Sequence, residues 1–239
     1  MAFAGVKTVY LLRHGESEQN VSGLDEPDTV LTVRGTAQAA SWRDEAAALD
    51  PAPELVLISP LRRTLRTACC AFERCAGARL RVCREARELY WHCAQCRGCC
   101  PDQGELAELL CELPRGDEIE GLEELDEPPD ERRPWWDPAG EAALAAAAGG
   151  PSVLAKRASE CVAALPNAIG RQAENLSCVA VVTSWGVISQ LTGVGPDNCD
   201  MVRCELTRKG RRGQSGEYNW KLEARDTVTA PYNRDEERD

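Results

Sequence analysis

Only two histidines occur among the 239 residues, and one lies in the run Leu11-Leu12-Arg13-His14-Gly15-Glu16-Ser17-Glu18-Gln19-Asn20. The apolar stretch at 8–12 reads as a buried strand, so Arg-His-Gly falls where that strand ends. An imidazole there can act as a nucleophile if one ring nitrogen is deprotonated and the other is held by a hydrogen bond. Arg13 offers a planar fork of donors for a pair of anionic oxygens, and Gly15 permits close backbone approach. A second element, Ser59-Pro60-Leu61-Arg62-Arg63-Thr64-Leu65-Arg66-Thr67-Ala68, follows another apolar run at 54–58. A helix beginning there turns free N–H groups and a positive dipole end toward the same crevice. Arg63 then becomes a second cationic clamp, with Leu61, Leu65 and Ala68 on the buried side. Arg-His-Gly alone is a short pattern that a hydrogen-bonded structural His at a strand end also produces.

A further candidate is His92-Cys93-Ala94-Gln95-Cys96-Arg97-Gly98-Cys99-Cys100, whose thiolates are spaced as zinc or iron–sulfur ligands can be. No second, distant pair of C-x-x-C type accompanies it, and nine other cysteines are scattered along the chain. Metal ligation by Cys93, Cys96, Cys99 and Cys100 stays open as an alternative. The working expectation is no metal, no cofactor and, from an odd cysteine count, no disulfide framework.

The elements that must carry these residues can be read from apolar periodicity. Continuous apolar runs at 8–12, 54–58, 80–83 and 178–183 suit parallel strands covered on both faces. Helices are expected over 33–49 with Thr32 as N-cap, over 61–74, and over 153–171 after Pro151-Ser152. Residues 201–207 and 217–222 flank a basic, Gly-rich stretch and read as an antiparallel hairpin. Strands alternating with helices predict a three-layer α/β/α sandwich. Its sheet would be mostly parallel with an antiparallel C-terminal hairpin, and ligands would bind beyond the carboxyl ends of the strands. Residues 1–228 form one expected domain, with 92–150 as an acidic insertion and 229–239 as a disordered tail.

Charge is distributed unevenly. The chain holds 39 acidic and 28 basic residues, and residues 101–150 alone hold 15 acidic and 3 basic, which accounts for the whole imbalance. The run at 116–131 is expected to be a solvated loop. A lid over the site is its alternative, because Trp135-Trp136 follows and needs apolar surface to cover. An acidic chain argues against broad nucleic-acid binding, and two histidines exclude a multi-His metal site. No apolar run nears the ~20 residues that span a bilayer, and no leader pattern precedes residue 6. A soluble, cytoplasmic protein with no nucleic-acid or membrane partner is expected. Oligomeric state leaves no trace in the sequence.

Taken together, Leu11-Leu12-Arg13-His14-Gly15-Glu16-Ser17, Leu31-Thr32-Val33-Arg34-Gly35, the Ser59-to-Ala68 segment and Val181-Val182-Thr183-Ser184-Trp185-Gly186-Val187-Ile188 resemble the histidine phosphatase superfamily, the phosphoglycerate-mutase-like group. Trp135-Trp136-Asp137-Pro138-Ala139-Gly140-Glu141 is similar to an aromatic-acidic stretch in that family's insertion. The resemblance implies phosphoryl transfer from a small phosphorylated metabolite, a phosphomonoester, to His14 and then to water. Arg13 and Arg63 would hold the phosphoryl oxygens, with Asn20 and Gly15 beside them. It also implies a carboxylic acid just after the third strand. Glu88, in Ala86-Arg87-Glu88-Leu89, fits the pattern best, and Glu85 is the runner-up.

One slot departs from the pattern. Where the family has a second His after the fourth strand, this chain has Ser184. A hydroxyl donates a hydrogen bond but carries no positive charge, and losing a preorganised donor costs roughly 10²–10³-fold at the transition state. An impaired phosphatase is therefore expected. A phosphate-binding pseudoenzyme or regulatory module and a mutase are the alternatives, and His92 is a conceivable substitute for the missing imidazole.

Overall fold

The computed structural model describes residues 6–23, 28–88, 103–125, 151–209 and 219–236. Seven strands form one sheet: β1 (Lys7–Arg13), β2 (Leu55–Ile58), β3 (Arg79–Val82), β4 (Ile119–Glu120), β5 (Cys178–Thr183), β6 (Met201–Lys209) and β7 (Asn219–Val228). Their spatial order is β4-β3-β2-β5-β1-β6-β7. The first five in that order run parallel, whereas β6 is antiparallel to β1 and β7 to β6. The helices are α1 (Glu18–Ser22), α2 (Val33–Ser41), α3 (Arg43–Ala47), α4 (Arg62–Ala71), α5 (Gln103–Glu112), α6 (Pro151–Gln172), α7 (Trp185–Thr192) and α8 (Pro231–Glu236).

The period-two alternation of the buried strands divides the core into two layers. Leu12, Val56, Ile58, Ala180 and Val182 face one side, packing with Trp42, Leu65 and Phe72. Val9, Leu11, Leu55, Leu57, Val179 and Val181 face the other, against Val162, Leu165 and Ile169 of α6 and Val187 and Ile188 of α7. This is the expected three-layer arrangement, with β6–β7 as its antiparallel hairpin. The Thr32 cap is formed as well, its Oγ1 accepting from Gly35 N at 2.9 Å.

Four expectations need correction. The single helix over 33–49 is divided at Trp42. There the ladder tightens to a bond onto Ala39, and the buried indole donates to the Cys199 carbonyl at 2.7 Å. The acidic run is not loop throughout. Residues 116–125 dock onto the sheet edge as β4 and flanking 3₁₀ turns, because Ile119 and Leu125 are buried while Asp117, Glu118, Glu120 and Glu123 stay exposed. The hairpin strands are longer than the apolar pattern indicated, since half-exposed polar residues extend the ladder to Lys209 and Val228.

Finally, residues 231–236, inside the segment expected to be a disordered tail, form α8. Polar bonds rather than apolar periodicity anchor it: Ala230 N and Asn233 Nδ2 both donate to Asp200 Oδ1, and Gln38 Nε2 donates to Asn233 Oδ1. Residues 89–102, 126–150 and 210–218 lie outside the described residues. They include His92, Cys93, Cys96, Cys99, Cys100 and the Trp135-Trp136 pair. Among the described residues, no helix is long and apolar enough to cross a membrane.

Candidate active site

The carboxyl ends of β2, β5 and β1 are adjacent, and the residues just past them are brought side by side. β1 and β5 are in register up to Arg13 opposite Thr183, so His14 and Ser184 are the next residue on each chain. His14 N donates to Thr183 O at 3.0 Å. The imidazole is 4% exposed, and its Nδ1 lies 2.7 Å from the Gly15 carbonyl. A carbonyl only accepts, so Nδ1 carries the proton and the lone pair is on Nε2. Burial, then the Arg63 and Arg13 guanidinium charges, push the ring's pKa well below its ordinary value. Nε2 is thus unprotonated.

Two glycines set how closely the loop after β1 can lie on α2. A Cβ on Gly15 would come 2.3 Å from the Gly35 carbonyl oxygen, and one on Gly35 would come 2.0 Å from that of Glu16. The Glu16 carboxylate is engaged away from the crevice by Thr32 Oγ1 and Arg34, each at 2.8 Å. Gly15 N donates to Thr67 Oγ1 at 3.1 Å, while that hydroxyl donates to the Arg63 carbonyl at 2.7 Å, which ties α4 to the His14 loop.

Arg63 is 1% exposed, and its Nε and Nη1 have no hydrogen-bond partner among the described residues. Asp28 Oδ1 accepts from the Arg62 backbone N–H at 2.8 Å and so fixes the start of α4. Arg13 Nη1 donates to the Pro196 carbonyl at 2.9 Å, and its buried Nε has no partner among the described residues. Burial lowers the Arg13 pKa while Glu88, Asp197 and Asp200 oppose that; a guanidinium stays charged regardless.

Asn20 Oδ1 accepts from Ser17 N, Ser17 Oγ and Asn198 Nδ2 at 3.0–3.2 Å. Three donors on one oxygen leave the side-chain NH₂ as the group available to an anion. Asn198 Nδ2 also donates to the His14 carbonyl at 3.1 Å. Ser184 stands at the N-cap of α7, fully buried, and its Oγ makes no capping bond and has no partner among the described residues. Several buried donors, one neutral imidazole and two guanidinium groups together suit an acceptor-rich tetrahedral anion.

Residues 9–99 match the family model of the histidine phosphatase superfamily, branch 1. No curated protein matches the chain by sequence. Among solved structures, phosphoglycerate mutase from Bacillus anthracis str. Sterne shares the fold at 18% identity and TM-score 0.54, over 96% of each chain. A mycobacterial glucosyl-3-phosphoglycerate phosphatase with VO3 does so at 20% identity and TM-score 0.52, over 94% of this chain and 99% of that one. Phosphoserine phosphatase from Entamoeba histolytica, in complex with phosphoserine, has 14% identity and a TM-score of 0.50, over 95% and 98%. The histidine phosphatase match includes Arg13, His14, Asn20, Arg63, Glu85 and Glu88 but ends before Ser184.

The two carboxylate candidates differ in placement. Glu88 acts on the Arg13 charge, whereas Glu85 faces Arg171 of α6 at 3.8 Å and accepts from Cys83 Sγ at 3.5 Å. Glu85 is therefore drawn toward the helix layer. Sequence reasoning missed Thr67, Asn198 and Asp28, which hold the site together, and Ser59, whose buried Oγ has no partner among the described residues. Only Thr67 had a local signal, one helical turn beyond Arg63. Two non-glycine residues near the site adopt left-handed backbone, Asp28 at φ 46° and Cys199 at φ 62°. Such strain persists where surroundings enforce it, and Cys199 is held by its N–H on the His14 carbonyl and by Trp42 on its own. Burial pushes the Cys199 thiol well up, so it remains a neutral thiol beside the imidazole.

Proposed function

We propose that the protein is a phosphatase acting in the cytoplasm on a small phosphomonoester through a phosphohistidine at His14. The observation that carries this reading is a buried imidazole with a free Nε2 lone pair, acted on by two guanidinium groups. In the first step Nε2 attacks phosphorus, the P–N bond forms and the ester P–O bond breaks. Glu88, as a carboxylic acid, gives its proton to the departing oxygen. Water then attacks phosphorus, Glu88 takes a proton back, and the P–N bond breaks to release phosphate. Arg13, Arg63, the Asn20 amide and Ser184 Oγ hold the phosphoryl oxygens throughout. Positioning and charge neutralisation supply most of the acceleration in such transfers, with acid–base help worth about 10²–10⁴-fold.

Ser184 sets the level of activity. It keeps a donor where a charged imidazole would stabilise the transition state better, so turnover is slow. An inactive phosphate-binding module is the second reading, favoured by the same residue. Brief exposure to ³²P-labelled substrate tests the first: wild type should acquire acid-labile label, and His14→Ala should not. Ser184→His should raise aryl phosphate hydrolysis by roughly 10²–10³-fold. Absence of label and of turnover in both wild type and Ser184→His, with vanadate still raising the melting temperature, would leave the binding module standing instead.

A further inference from the structure

Three side-chain hydroxyls are buried without a partner among the described residues: those of Thr29, Ser59 and Ser184. Two of these stand at the carboxyl ends of neighbouring strands. β2 and β5 pair in register to Ile58 opposite Val182, which sets Ser59 beside Thr183 and one residue short of the Ser184 level. Ser59 is fully buried. Its main chain is already committed, with N donating to Val182 O at 3.0 Å and O accepting from Thr64 Oγ1 at 2.7 Å. The side chain is therefore placed by the fold, yet Oγ is paired with none of the described residues.

Native interiors seldom tolerate an orphaned hydroxyl, because removal from water forfeits its solvent bonds. The neighbouring orphans reveal what would satisfy it. Four residues on, Arg63 leaves Nε and Nη1 unpartnered, and a guanidinium only donates. A group that meets Arg63, Ser59 and Ser184 together must accept from several directions at once and carry negative charge.

We propose that Ser59 is a phosphoryl-binding residue, its Oγ donating to a non-bridging phosphoryl oxygen. This rests on the phosphoryl-transfer reading above and deepens it. Two neutral hydroxyls on adjacent strand ends serve one end of the anion, and Arg13 and Arg63 supply the charge. The pair keeps the donor count of the cradle although one cationic ring is absent.

The experiment measures ligand-free melting temperature and the vanadate Kd for wild type, Ser59→Ala and His14→Ala. A hydroxyl awaiting an anion predicts that Ser59→Ala melts at or above the wild-type temperature without ligand and binds vanadate about 10-fold more weakly or worse, as for a hydrogen bond to a charged group. The kcat/KM for an aryl phosphate should fall with it. An unchanged Kd overturns the assignment, and so does a fall of more than about 2 °C in ligand-free melting temperature, which would reveal a structural partner. If the wild type fails to bind vanadate, the phosphoryl-transfer reading falls and Ser59 with it. If the wild type binds and Ser59→Ala binds equally, Ser59 alone is refuted.

Discussion

Replacing His14 with Gln removes a titratable ring from the end of β1 while keeping a polar group of similar size. In the folded protein, burial and the Arg63 and Arg13 charges hold the ring's pKa well below its ordinary 6.5. In the unfolded chain it titrates near that ordinary value. Below pH 6.5 the unfolded state therefore binds a proton that the native state refuses, and stability falls as pH drops from there toward the lowered native value. Above pH 6.5 both states are neutral and the ring contributes no slope. Between pH 7.5 and 5.5 the unfolded ring takes up nearly a full proton, so wild type should lose about 1.4 kcal/mol more than His14→Gln. That corresponds to roughly 3–6 °C in melting temperature for a domain of this size. Urea unfolding of both proteins at pH 7.5, 6.5 and 5.5 measures the difference directly. Carboxylates and His92 are common to both and cancel. Superimposable pH profiles, or a wild type that gains on the variant as pH falls, would mean that the native ring is protonated and no free lone pair awaits phosphorus.

Glu88→Gln should lower aryl phosphate turnover by about 10²–10⁴-fold. Glu85→Gln should stay within about threefold by the same assay, and equal losses would overturn the choice between them. Gly35→Ala forces a methyl against the Glu16 carbonyl 2.0 Å away, where only backbone can give. Overpacking of that kind costs about 1–3 kcal/mol; a urea midpoint unchanged from wild type would show that the loop after β1 can lift off α2 freely.

The parts of this fold legible in the sequence are those written in local pattern. Val179, Ala180, Val181 and Val182 are apolar on both faces because β5 is covered on both faces, and Thr32 announced α2 through its capping hydroxyl. β4 was hidden because two residues inside an acidic run carry no period, and its one strongly buried side chain, Ile119, is isolated in sequence. α8 was hidden for a related reason. Asn233 and Asp200 are ordinary surface types until the fold brings them to 3.1 Å. In the site, Arg13, His14 and Gly15 were readable because they terminate an apolar run, and Arg63 because it opens an amphipathic helix. Asn198 and Ser59 were not, since their meaning depends on partners that only the packed sheet supplies.

Asn198 also links distant stretches of chain. Its amide NH₂ supports the carbonyl of His14, and its own carbonyl accepts from Asn233 Nδ2 at 2.9 Å. The main-chain carbonyl of His14 is therefore tied, through Asn198, to the last described helix. During refolding, competence should return only with the final, global step, in keeping with the slowness of non-local pairing. Conversely, detaching α8 should disarm the centre while most of the sheet is still intact.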